Sequence, residues 1–121
     1  MVADSQQQWR RIFRAVSETP RREIIEALLE APADASVSLP AAAMTDQSDD
    51  EGALQTELVH RHLPVLAEHD FVAWEHEPFR VARGSSFEDA AVVIEAIHDH
   101  DGLPHHLIVD CNRLREVSRG T

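Results

Sequence analysis

With 121 residues the chain suffices for one domain with a modest core, and its single Cys111 excludes an intrachain disulfide and fits a reducing cytoplasm. No apolar stretch approaches the roughly 20 residues of a membrane span, and the polar, Gln-rich start is no signal peptide, so a soluble cytoplasmic protein is expected. Acidic residues number 22 against 11 basic ones, all of them Arg, and a net charge of −11 ordinarily argues against a nucleic-acid partner.

A first helix is predicted over residues 5–17, where Trp9, Ile12, Phe13 and Val16 share one stripe and Arg10, Arg11 and Arg14 lie off it. Thr19-Pro20 opens a second helix, with Thr19 as cap and Pro20 in the first turn. It carries Ile24, Ile25, Leu28 and Leu29 and fades at Ala31-Pro32. Residues 1–22 hold five Arg and two acids, whereas residues 23–57 hold nine acids and no Arg. The N-terminal arginines therefore either balance Glu23, Glu26 and Glu30 on the neighbouring helix or serve as phosphate contacts. Val37-Ser38-Leu39 reads as a short strand and residues 40–44 as a brief helix. The connection over residues 45–52, TDQSDDEG, is acidic, solvated and longer than a compact helix-turn-helix needs.

Residues 54–83 organise the rest of the chain. Val59, Leu63 and Leu66, with Leu58 beside them, predict an amphipathic helix starting near Ala53. Gln55, Thr56, His60 and Arg61 face away from that stripe, flanked by Glu57. Pro64 removes a backbone hydrogen bond to His60 and predicts a kink. Residues 71–74 then read as a strand, 75–78 as a turn and 79–82 as a second strand. The next helix, Phe87 to about Asp99, is unusually apolar. Its Phe87, Val92, Val93, Ile94 and Ile97 exceed what one domain face can cover, so a homodimer interface is expected there. A last amphipathic helix carrying Leu107, Cys111, Leu114 and Val117 is expected to run to about Ser118, with a strand at Leu107-Ile108-Val109 as the alternative.

Helix, strand, turn, strand is the order found in the second half of a winged helix-turn-helix domain. The run V-x-R-H-L-x-x-L-x-x-x-x-F-V, Val59 to Val72, resembles the recognition helix and the start of the wing in ArsR-like regulators. The segment H-x-H-L-P-x-L-A, His60 to Ala67, is similar to a family of small winged-helix domains of halophilic archaea. The resemblance covers roughly residues 9–83 and implies binding to double-stranded DNA. Gln55, His60 and Arg61 have side chains suited to base edges and Thr56 to a phosphate or a thymine methyl, and Arg80, Arg83, Arg10, Arg11 and Arg14 are the phosphate candidates. An acid excess without Lys suits a protein working in near-saturated salt. At 1 M salt the Debye length is only about 3 Å, so local charge outweighs net charge.

Other chemistry finds less support. His98, His100, His105 and His106 are suited to Zn, Ni or Co, but His98 and His100 do not share a helix face and the group straddles a Gly-Pro turn. Neither a metal nor another cofactor is expected. No Gly-rich phosphate loop, paired carboxylates or nucleophile with a local base suggests an enzyme. The expected fold is mostly α with a small β-wing: a winged helix-turn-helix over residues 1–84 and C-terminal dimerisation helices over residues 85–121. The expected function is a DNA-binding transcriptional regulator acting as a homodimer, its recognition helix in the major groove. The alternative is a winged-helix protein-interaction module whose acidic surface meets a protein partner.

Overall fold

A computed structural model describes residues 2–45 and 50–98, with side chains described from Ser5 onward up to Ile97. The expected last helix with Cys111, residues 46–49 of the acidic connection, and the side chains of His98, His100, His105 and His106 lie outside the described residues. The chain is mostly helical with a small antiparallel sheet. Helices α1 (Val2–Val16) and α2 (Thr19–Glu30) come first, then strand β1 (Ser36–Ser38) and a 3-10 turn at Ala41–Ala43. A long broken helix follows: α3 (Glu51–Glu57), a π-helical turn (Leu58–His62) and α4 (Leu63–Glu68). Strands β2 (Val72–Glu75) and β3 (Arg80–Arg83) form a hairpin, and α5 (Phe87–His98) packs back on α1 and α2. Among the described residues, no helix is long and apolar enough to cross a membrane.

The sheet order is β1-β3-β2, so the central strand is the second arm of the hairpin. Val37, Val81 and Trp74 stand opposite one another in register, as do Ser36, Ala82 and Ala73 in the row beside them. Because side chains alternate along a strand, the valine row and Val72 face the helices, and Ser36, Ser38, Ala73, Glu75, Arg80 and Ala82 face outward. Phe71, Val72 and Val81 join Ile24, Ile25, Leu28, Leu58, Leu63 and Leu66 in one core. Each such side chain contributes about 1.5–3 kcal/mol by leaving water.

Four features differ from the sequence reading. On α1, Ile12, Ala15 and Val16 are buried, but Trp9 and Phe13 are 52% and 57% exposed and stack on each other at 5.5 Å between ring centres. The stripe is broader than the contact it makes, so its edge stays in water. On α5, Phe87, Ala90, Ala91 and Ile94 are buried in the chain's own core. Phe87 and Ile94 are therefore not available to a dimer partner, and α5 through Ile94 belongs to the same core as residues before 85. Asp50 is no mere loop acid. It caps α3 by accepting a hydrogen bond from the Ala53 amide at 3.0 Å, and Glu51 sits in the first turn, where negative charge is favoured.

The fourth difference concerns Pro64. The helix does not simply kink; it widens for one turn, the Leu63 amide bonding to the Leu58 carbonyl five residues back. Proline has no amide hydrogen and its ring collides with the carbonyl four residues earlier. The wide turn ends just before it, which places Pro64 in the first turn of α4, where no donor is required. The insertion shifts the phase of everything downstream. Leu58 and Leu63 are five apart and would diverge on a regular helix, yet both are buried, and so is His62 between them.

Candidate functional site

The site is built where α2 begins and the broken helix widens. Arg21 is only 3% exposed and donates in every direction: Nε to the Ala15 carbonyl (3.1 Å), and Nη2 to the Arg14 carbonyl and the Ser17 hydroxyl (both 3.0 Å). These are the last-turn carbonyls of α1, which lack intrahelical donors. Arg22 donates to the Val16 carbonyl at 2.7 Å, from the same helix end. Two of the five N-terminal arginines are thus helix caps. The phosphate reading does not describe them, and Arg21 also stands 3.5 Å from the Glu18 carboxylate.

The remaining donor of Arg21, Nη1, meets Nδ1 of His62 at 3.0 Å. A guanidinium can only donate, so Nδ1 accepts and the ring proton resides on Nε2. His62 is fully buried, and Nε2 has no hydrogen-bond partner among the described residues. A carboxylate oxygen of Glu57 lies 3.8 Å away. Burial, then the neighbouring Arg21 and Arg61, hold the His62 pKa below the ordinary imidazole value, against the opposite pull of Glu18 and Glu57.

These contacts close into a ring. Glu18 stands 3.5 Å from Arg21 and 3.2 Å from Arg61; Arg61 stands 3.5 Å from Glu57; Glu57 faces His62, and His62 accepts from Arg21. The inner half of the ring is buried. The outer half is open, with the side chains of Glu18, Glu57 and Arg61 at 41%, 56% and 52% exposure.

The outward set expected on this helix is outward: Gln55, Thr56, His60 and Arg61 are all exposed. The Thr56 hydroxyl bonds back to the Gly52 carbonyl at 3.1 Å. The arginine candidates divide. Arg10 and Arg11 are exposed on α1. Arg14 pairs with Glu68 at 3.4 Å, at the far end of α4 from Gln55. Arg80 faces Glu75 across the hairpin, with Nη2 3.1 Å from Oε1. Arg83 is the clear correction. It donates to the Leu28 and Ala31 carbonyls at 2.9 and 3.3 Å, lies over the Phe87 ring at 4.8 Å, and pairs with Glu88. It caps the C-terminus of α2 and holds α5, so it is not free to reach a phosphate.

Sequence reading missed His62. Its signal was positional: residue 62 falls four after Leu58 and four before Leu66, both buried. No three His, Cys, Asp or Glu side chains gather as metal ligands among the described residues. Comparison with protein-family models, with curated proteins and with solved structures finds no match for this chain.

Proposed function

We propose that the protein is a winged helix-turn-helix DNA-binding regulator, acting as a homodimer in concentrated salt, with the broken helix in the major groove and the β2–β3 hairpin as the wing. The observation that carries this reading is the exposed row Gln55, Thr56, His60 and Arg61 on a helix whose other face is locked into the core. Those side chains suit base edges. Among the described residues, the large apolar side chains left exposed are Trp9, Phe13 and Val92, with Val93 and Ile97 partly covered, and these are the dimer candidates. The deciding experiment is selection of genomic duplex fragments in molar KCl, followed by Arg61→Ala. A bidentate contact to guanine is worth about 1–3 kcal/mol, so the variant should lose roughly ten- to a hundredfold in specific affinity while circular dichroism stays unchanged. Equal binding by the two proteins would overturn the assignment of Arg61.

A second reading rests on one observation of its own. Arg14, Arg61, Arg80 and Arg83 each stand within 3.5 Å of a carboxylate, which leaves little uncompensated positive charge for phosphates. That pattern favours a winged helix that meets a protein partner instead of DNA. Failure to enrich any fragment in the selection favours this second reading.

A further inference from the structure

We propose that Glu18, Arg21, His62, Glu57 and Arg61 form a proton-operated latch that decides whether Arg61 is held against the protein or released to an anionic partner. That the partner is duplex DNA rests on the function proposed above; the latch itself does not. Three observations carry it. The five side chains close a ring in which each touches or faces the next. One member, His62, is fully buried, and its Nε2, without a hydrogen-bond partner among the described residues, lies 3.8 Å from a carboxylate, just too far to bond. The ring straddles the π-helical turn, the one irregular turn of the exposed helix.

The charged groups facing His62 come from both sides. Arg21 and Glu18 belong to α2 and its cap position, Glu57 and Arg61 to its own helix, and Arg14 of α1 offers Arg21 its carbonyl while its side chain turns to Glu68. With His62 neutral the ring holds two cations and two anions, and its charge is balanced. A proton taken from solvent must add to Nδ1, since Nε2 already carries one. The new N–H bond then faces the Arg21 guanidinium, donor against donor and cation against cation, and the 3.0 Å contact cannot persist. No other covalent bond changes. Imidazolium Nε2–H draws the Glu57 carboxylate into a charge-assisted hydrogen bond, and Glu57 leaves Arg61. Arg21, freed from His62, competes with Arg61 for Glu18. Arg61 passes from two carboxylates to a share of one.

The test uses the full chain, labelled with nitrogen-15, in fixed molar KCl, with circular dichroism to show that it stays folded. His62 ring nitrogens and the Nε–H signals of Arg21 and Arg61 are followed as pH falls. Both arginine signals are expected to move with the His62 midpoint. In Glu57→Gln that midpoint should fall, because the imidazolium loses its carboxylate, and the response of Arg61 should shrink to the part carried through Glu18. His62→Asn, whose Oδ1 keeps an acceptor near the place of Nδ1, should abolish the response of both arginines. Arginine signals that stay still while His62 titrates, or a His62 that titrates like free imidazole, would overturn the latch. A second arm measures duplex DNA by fluorescence anisotropy. Glu57→Gln should bind about two- to fivefold tighter near neutral pH, the scale of one exposed ion pair. Coupled arginines with no such gain would overturn the link to DNA. If the unmutated protein binds no DNA at any pH, the proposed function fails, and the arginine signals still decide the latch.

Discussion

The side chains that matter most here are charged or titratable groups lodged where charge is costly. His62 is the sharpest case. The unfolded chain presents an ordinary imidazole with a pKa of about 6.5, whereas the folded chain holds the group lower. As pH falls, the unfolded state takes the proton first. The contribution of His62 to stability is therefore full above about 6.5 and declines as pH drops from there toward the folded value, where it levels off. Urea unfolding between about pH 7.5 and pH 5.5 should show this decline, and His62→Asn should flatten it; an equal slope in the variant would exclude His62 as the cause. Arg83 is a second case. Its hydrogen bonds go to the Leu28 and Ala31 carbonyls at the end of α2. Hydrogen bonds to charged groups contribute about 1.5–3 kcal/mol, so Arg83→Ala should lower stability by roughly 2 kcal/mol. Any change in DNA affinity should vanish once the comparison is made on fully folded protein; a loss of affinity at unchanged stability would return Arg83 to the phosphate candidates.

At the scale of elements, joints are the demanding places. The turn after α4 puts Asp70 in the left-handed region at φ 61°, and its carbonyl accepts from the Ser86 amide at 2.8 Å. Gly84 passes against that carbonyl, donating its own amide to Phe71 at 3.0 Å. A Cβ on residue 84 would collide with the Asp70 backbone and press on the Val72 amide. Backbone cannot rotate aside as a side chain does, so Gly84→Ala should cost at least the 1–3 kcal/mol typical of overpacking. Thermal unfolding measures it, and a stability within about 0.5 kcal/mol of the parent would show that the joint relaxes freely. Element order was readable from periodicity alone: the α2 stripe and the outward set Gln55, Thr56, His60 and Arg61 lie where spacing placed them, and the strands expected at 71–74 and 79–82 lie one residue later, at Val72–Glu75 and Arg80–Arg83. What periodicity missed has physical causes. A π-helical turn resets the phase that a regular period assumes and buries Leu58 and Leu63 together, whereas His62 stands at regular spacing from Leu58 and Leu66 but, being polar, falls out of an apolar stripe. Amphipathic spacing tells which residues share a stripe, not how wide the covering neighbour is, which left Trp9 and Phe13 outside. Capping arginines carry no local pattern, because Arg21, Arg22 and Arg83 reach carbonyls that the backbone trace alone brings near.

For the molecule as a whole, the pairing of arginines with carboxylates sets how binding should respond to salt. A conventional DNA-binding protein releases counterions from the phosphates it neutralises, and log K falls against log salt with a slope of about −0.9 per phosphate. Here each of Arg14, Arg61 and Arg80 must first leave a carboxylate: Glu68, Glu18 with Glu57, and Glu75. The carboxylate left behind faces the approaching duplex and takes up a cation, which opposes the release at the phosphate. Only Arg10 and Arg11 are exposed without a carboxylate partner among the described residues. We therefore expect a shallow, flat or rising dependence of affinity on KCl through the molar range. The same salt should stabilise the fold, because it screens the repulsion among nine acids and no basic residue over positions 23–57. Titration of a selected fragment between low and molar KCl, with circular dichroism confirming folded protein at each point, measures the slope. Because stability is expected to rise with salt and would mimic a gain in affinity, only points with fully folded protein enter the slope. A slope near −5 or steeper would mean that about five or more phosphates are neutralised without compensation. The ion pairs at Glu18, Glu57, Glu68 and Glu75 would then be too weak to hold their arginines, and the charge balance drawn for this surface would be wrong.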